Sequence, residues 1–159
     1  MRYILDESDG PIDFDRYLNY LQTIRDRLPA AVYRFASDSA NFDLSSHCSL
    51  HDAWLEHFNI TEPAEGARNE LRRIDIKSSY LGPFHDKRIL INYIDVIGYS
   101  IQTPSTFLGP PSYRTGHGDL ITHEIRLDDD NRLEHELCFS RGSVITVCFK
   151  GFAHEVQDV

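Results

Sequence analysis

The chain has 159 residues, 41% of them hydrophobic and 26% charged, proportions that exclude collagen, coiled coil and wholesale disorder. A chain of this length buries roughly 70% of its unfolded surface, enough to stabilise a core without metal or disulfide staples. Sixteen basic against 25 acidic side chains leave a formal charge of −9, a field that repels nucleic-acid phosphates and anionic lipid headgroups and favours a basic partner.

No apolar stretch approaches the roughly 20 residues of a spanning helix, and the start, Met1-Arg2-Tyr3-Ile4-Leu5-Asp6-Glu7, turns acidic before a signal-like segment develops. The expectation is a cytoplasmic protein with no membrane or nucleic-acid partner. Cys48, Cys138 and Cys148 are an odd set without C-x-x-C spacing, which points to buried free thiols.

A helical segment is predicted over 13–37. Asp13 is placed to cap a first helix whose Phe14, Tyr17, Leu18, Leu21, Ile24 and Leu28 recur on one face, with Ile12 and Tyr17 at the staple positions. Pro29 closes that helix and opens a shorter one through Ala30 to Ala36, because proline is tolerated where the amide has no helical partner.

A β-rich body is predicted over 50–156. Leu50 to Ile60 reads as a strand with Leu50, Trp54, Phe58 and Ile60 on one face. Leu71 to Tyr80 alternates Ile74, Ile76 and Tyr80 against Arg73, Asp75 and Lys77. Gly82-Pro83 marks a turn, and Arg88 to Ile101 is too long for one flat strand, with Gly98 at a bulge or bend. Residues 103–118 are the most loop-like segment.

The C-terminal strands can be registered from their own side chains. A three-residue loop Asp129-Asp130-Asn131, with Asn131 left-handed, opposes Leu127 to Leu133, Arg126 to Glu134 and Ile121 to Phe139. The same loop at Ser140-Arg141-Gly142 sets Leu137 against Ile145 and Leu133 against Phe149. The predicted fold is α+β in one domain over 1–159: an N-terminal helix pair, then a mostly antiparallel meander or partly open barrel.

These registers turn His123 and His135 to the apolar face as diagonal neighbours, with His154 sharing strand parity with Phe152 and Val156. The three imidazoles are candidate ligands for a divalent metal, or an acid and base; the plainer alternative is that each ring satisfies a core polar group such as a tyrosine hydroxyl. His51-Asp52 and His85-Asp86 invite a triad with Ser49 or Ser140, but no G-x-S-x-G elbow supports one. Trp54, Tyr93, Tyr99 and Tyr113, together with the acidic turn Asp128-Asp129-Asp130, are candidate ligand or partner contacts, and Phe107 joins the aromatics as a candidate to line a pocket.

Leu50-His51-Asp52-Ala53, Asp119-Leu120 with Glu124, and Ile145-Thr146-Val147-Cys148-Phe149 together resemble a loose group of small bacterial proteins, many found beside toxin systems, with two helices ahead of a β-rich body. The resemblance implies a binding protein of immunity type and supplies no catalytic residue. The reading is therefore a non-enzymatic, acidic binding protein with a basic protein partner. Its alternative is a metal- or small-molecule-binding domain using the sheet histidines, and a structural subunit or homodimer whose apolar sheet face or edge strand is covered by a second copy is a third.

Overall fold

The computed structural model describes residues 1–4, 14–104 and 116–159. Helix α1 (Asp15–Thr23) buries Tyr17 and Leu21, then tightens into a 3₁₀ turn at Arg25–Arg27 that buries Ile24 and Leu28 on either side. The predicted first helix thus ends a turn early, while its apolar stripe survives through Leu28. Pro29, at φ −55°, caps α2 (Ala30–Ala36) as predicted, and Val32, Phe35 and Ala36 face the core. The proposed cap Asp13 and staple Ile12 lie outside the described residues.

Eight strands follow among the described residues. They are β1 (Trp54–Thr61), β2 (Ala64–Glu65), β3 (Leu71–Arg72), β4 (Asp75–Leu81), β5 (Lys87–Gln102), β6 (Leu120–Leu127), β7 (Leu133–Phe139) and β8 (Val144–Asp158). Six form one antiparallel sheet ordered β1-β4-β5-β8-β7-β6, and β2 and β3 form a two-stranded sheet of their own. The long β5–β8 ribbon is the spine: β4 flanks one end through Ile76–Tyr93 to Leu81–Arg88, and β7 flanks the other through Leu133–Phe149 to Cys138–Val144.

The ribbon bends where Asp95 takes φ +52° and where the register slips at Ile97, beside the predicted Gly98. A bulged residue is left unpaired and increases the local twist, so the sheet curls. Its two edges touch at one point, where Asp52 N–H donates to Leu120 O (2.8 Å) and Leu120 N–H to Ala53 O (2.9 Å). The architecture is α+β, and the curled sheet does not close into a barrel.

The C-terminal registers hold. Asn131 (φ +63°) and Gly142 (φ +82°) occupy the left-handed loop positions, and Leu127–Leu133, Arg126–Glu134, Leu137–Ile145 and Leu133–Phe149 pair as predicted. One pair differs: a bulge at Ile121 brings Leu120 opposite Phe139, so Leu120, not Ile121, is the buried residue.

Two N-terminal strand predictions are corrected. Leu50 to Ala53 form turns, with Asp52 at φ +62°, and β1 starts at Trp54. A bulge between Leu55 and His57 then switches parity, so Leu55 and Phe58 face the core while Trp54 points the other way. Leu71 belongs to the small sheet and is exposed; the predicted strand over 71–80 is two elements. The cysteines are free, as expected, but only partly buried.

The helices cover β6 and its neighbours and also finish the edge of β6. Tyr17 Oη accepts from Ile125 N–H (2.8 Å) and donates to Ile125 O (2.9 Å), and Tyr20 Oη accepts from Leu127 N–H (2.9 Å). Backbone groups that an edge strand would offer to another chain are thereby occupied. Among the described residues no helix is long and apolar enough to cross a membrane.

Candidate functional site

Alternation along β6 and β7 turns His123 and His135 inward, and pairing of His123 with Leu137 and Ile125 with His135 makes the two rings diagonal neighbours. They hydrogen-bond each other, His123 Nδ1 to His135 Nε2 at 3.1 Å, and His135 Nδ1 meets the Tyr93 hydroxyl at 2.8 Å. His123 is 1% exposed and His135 fully buried. Phe42 stacks on His123 at 4.5 Å, and Phe35 contacts both rings.

Burial lowers the His123 pKa to about 3, against a smaller opposing effect of the Asn41 carbonyl. His135 is held well below the ordinary imidazole value by burial, then by His123 and Arg126. Both rings are therefore neutral near pH 7, and the hydrogen-bond chain needs a direction. If Tyr93 donates to His135 Nδ1, then His135 Nε2–H donates to His123 Nδ1 and His123 keeps its proton on Nε2, toward the Asn41 carbonyl. The reverse order leaves His123 Nε2, which has no hydrogen bond of ordinary geometry among the described residues, as a bare acceptor in the core. Both rings are thus expected in the Nε2–H tautomer, with unprotonated Nδ1 shifts in ¹⁵N spectra; protonated Nδ1 on either ring would contradict this order.

His154 does not join them. It sits on β8 opposite Ile91, exposed at the surface, with its ring on Phe35 at 4.8 Å. Among the described residues no third histidine, cysteine or carboxylate donor gathers with His123 and His135. The pair satisfies a core tyrosine, the plainer of the two alternatives read from the sequence. His154 instead helps line a surface cleft of about 270 Å³ with Ala31, Arg34, Phe35, Asp38 and Asn41. None of those five was singled out in the sequence.

Asp128, Glu134 and Cys148 do converge, with donor atoms within 4.8 Å of one another. Arg132 already holds Asp128 at 2.7 Å and Arg126 pairs with Glu134, while burial and then Glu134 push the Cys148 thiol up to about 11. The group is an ion-pair network around a protonated thiol. The acidic turn is likewise neutralised: Asp128 and Asp130 share Arg132, and Asp129 meets Arg2 at 2.9 Å.

Glu124 and Arg126, on the outer face of β6, are buried because the first residues of the chain cover them. The Glu124 carboxylate accepts N–H bonds from Tyr3 (2.8 Å) and Ile4 (2.9 Å) and pairs with Arg126 at 3.1 Å. Arg126 also meets Glu136 at 2.7 Å, and Glu136 pairs with the Met1 ammonium.

The aromatic candidates part company. Tyr93 is fully buried, Tyr99 is 45% exposed near the end of β5, and Phe107 and Tyr113 lie outside the described residues. Trp54, 48% exposed, packs on His85 at 4.3 Å, and the adjacent Phe84, 50% exposed, is stacked by His47 at 4.2 Å. His47 is positioned by Asp86 (2.7 Å). This corner depends on β1 pairing with β4, which sets Trp54 opposite Leu81 beside the Gly82-Pro83 turn. Among the described residues no triad forms: His51 Nδ1 lies 3.3 Å from Asp52, but Ser49 Oγ donates to the Asn41 carbonyl; Asp86 serves His47 rather than His85, and Ser140 Oγ accepts from Asp119 N–H. No family profile, curated protein or solved structure matches the chain, so its site is read from this geometry alone.

Proposed function

We propose that the protein is a binding protein, not an enzyme, that recognises a basic protein partner through the corner formed by His47, Trp54, Phe84 and His85. The observation that carries this reading is the exposure of Trp54 and Phe84, 48% and 50%, at one turn of the sheet. An indole and a phenyl ring left in water regain roughly 25 cal/mol per Å² when a partner covers them. Their faces attract guanidinium and ammonium groups, and tryptophan is enriched among residues that dominate binding energy. Asp52 and Asp86 flank the corner, both about half exposed, on a chain whose formal charge is −9. That field accelerates the approach of a cationic surface.

Trp54 is the sole tryptophan, so its fluorescence reports on this corner alone. Affinity capture at low and high salt should retain a basic protein, and adding that protein in purified form should shift Trp54 emission to the blue. Trp54→Ala should weaken the complex by roughly 30-fold or more, the range of a dominant contact. Retention of nothing basic at either salt, or full affinity in Trp54→Ala, removes this reading.

A further inference from the structure

We propose that the cleft between α2 and β8 binds a small zwitterion of the α-amino acid class, with Arg34 taking its carboxylate and Asp38 its ammonium group. Both charged side chains line the cleft, Arg34 from the last turn of α2 and Asp38 from two residues beyond its end, yet they make no ion pair with each other. Arg34 makes no ion pair with any described residue. Asp38 uses one oxygen to accept Ala40 N–H (3.0 Å), and no described residue donates to the other.

Two opposite charges that line one recess without pairing to each other are the complement of a molecule that carries both. Each would gain a charge-assisted hydrogen bond, the stronger kind, and neither would be left facing a like charge. The remaining walls suit the rest of such a ligand. Phe35 offers a ring face, and Ala31 leaves room beside it. Asn41 is 3% exposed, and its side-chain amide nitrogen is committed to Phe35 O at 2.7 Å. Its amide oxygen takes no hydrogen bond from a described residue and can accept from an ammonium group. His154, at the rim with its ring on Phe35, has its imidazole pKa lowered by desolvation against the smaller opposing charge of Asp38, and a ring N–H can donate one hydrogen bond to the carboxylate beside Arg34. The volume, about 270 Å³, is just below the roughly 300–1,000 Å³ of sites for drug-sized molecules, which fits a single amino acid better than a nucleotide or a peptide.

The test is calorimetric titration of the intact protein with L-leucine and L-phenylalanine, beside N-acetyl-leucine and leucinamide, which each lack one charge. Saturable binding of at least one free amino acid is expected, weakened tenfold or more by acetylation and by amidation. Arg34→Ala and Asp38→Asn, both at exposed positions, should each weaken it to a similar degree with the thermal midpoint unchanged. His154 ring signals should shift in parallel in NMR spectra. Absence of saturable binding, equal affinity for either capped form, or binding that survives both substitutions together would overturn the assignment.

Discussion

Acidification from about pH 6.5 to about pH 4.5 is expected to remove at least about 2 kcal/mol of stability, because each pH unit below the unfolded imidazole value costs about 1.4 kcal/mol for His123, which stays neutral in the fold, and His135 adds to the loss in the same direction. The sign follows from the direction of the shift. His123 and His135 have folded pKa values far below those of the unfolded chain, about 3 for His123, and burial is the main cause of both. The unfolded state therefore takes up protons first. Their contribution is complete above the unfolded value and is lost as pH falls through it toward the folded one. Arg126 and His154 oppose protonation in the fold, and no carboxylate among the described residues hydrogen-bonds either ring to assist it. Glu136 acts lower down: burial works to raise its pKa, but the Met1 ammonium and Arg126 outweigh it and hold the carboxyl below its usual range. Its share of stability is thus lost only in stronger acid. Urea midpoints across this range should fall steeply, and the double substitution His123→Gln with His135→Gln should flatten the upper part of the profile. A wild-type profile level between those two pH values would refute the neutral, buried pair.

Glu124→Ala is expected to cost about 3–5 kcal/mol, the penalty for removing one partner of a buried ion pair. The carboxylate is fully buried and gathers the N–H groups of Tyr3 and Ile4 as well as Arg126. Alanine would leave those donors without acceptors and tip the local charge around Arg126. Glu124→Gln keeps one acceptor oxygen and should cost less than alanine. Denaturant unfolding decides the matter; a loss below about 1 kcal/mol for alanine, the level of an exposed pair, would show that the cluster is solvated.

Part of this arrangement was legible beforehand. Asn131 and Gly142 announce left-handed loop positions, and strands joined by such short loops have their register set by the loop itself. His123 and His135 could therefore be placed side by side and inward without coordinates. The bulges at Ile121 and between Leu55 and His57 could not, because an extra residue carries no composition of its own. Neither could the Trp54 corner or the Arg34–Asp38 cleft, each of which joins segments that have no loop in common.

By itself, the sequence determined the two helical segments, the three-strand C-terminal meander and the inward pair of imidazoles, since each follows from side-chain periodicity and turn chemistry acting over a few residues. Only the tertiary structure decided that β5 and β8 form the spine, that Glu124 and Arg126 are buried although they lie on the outer face, and that His154 stands apart from His123 and His135. The physical reason is range. Strand order, coverage by a distant segment and the meeting of α2 with β8 depend on packing free energy shared among residues far apart in the chain, which no local pattern records.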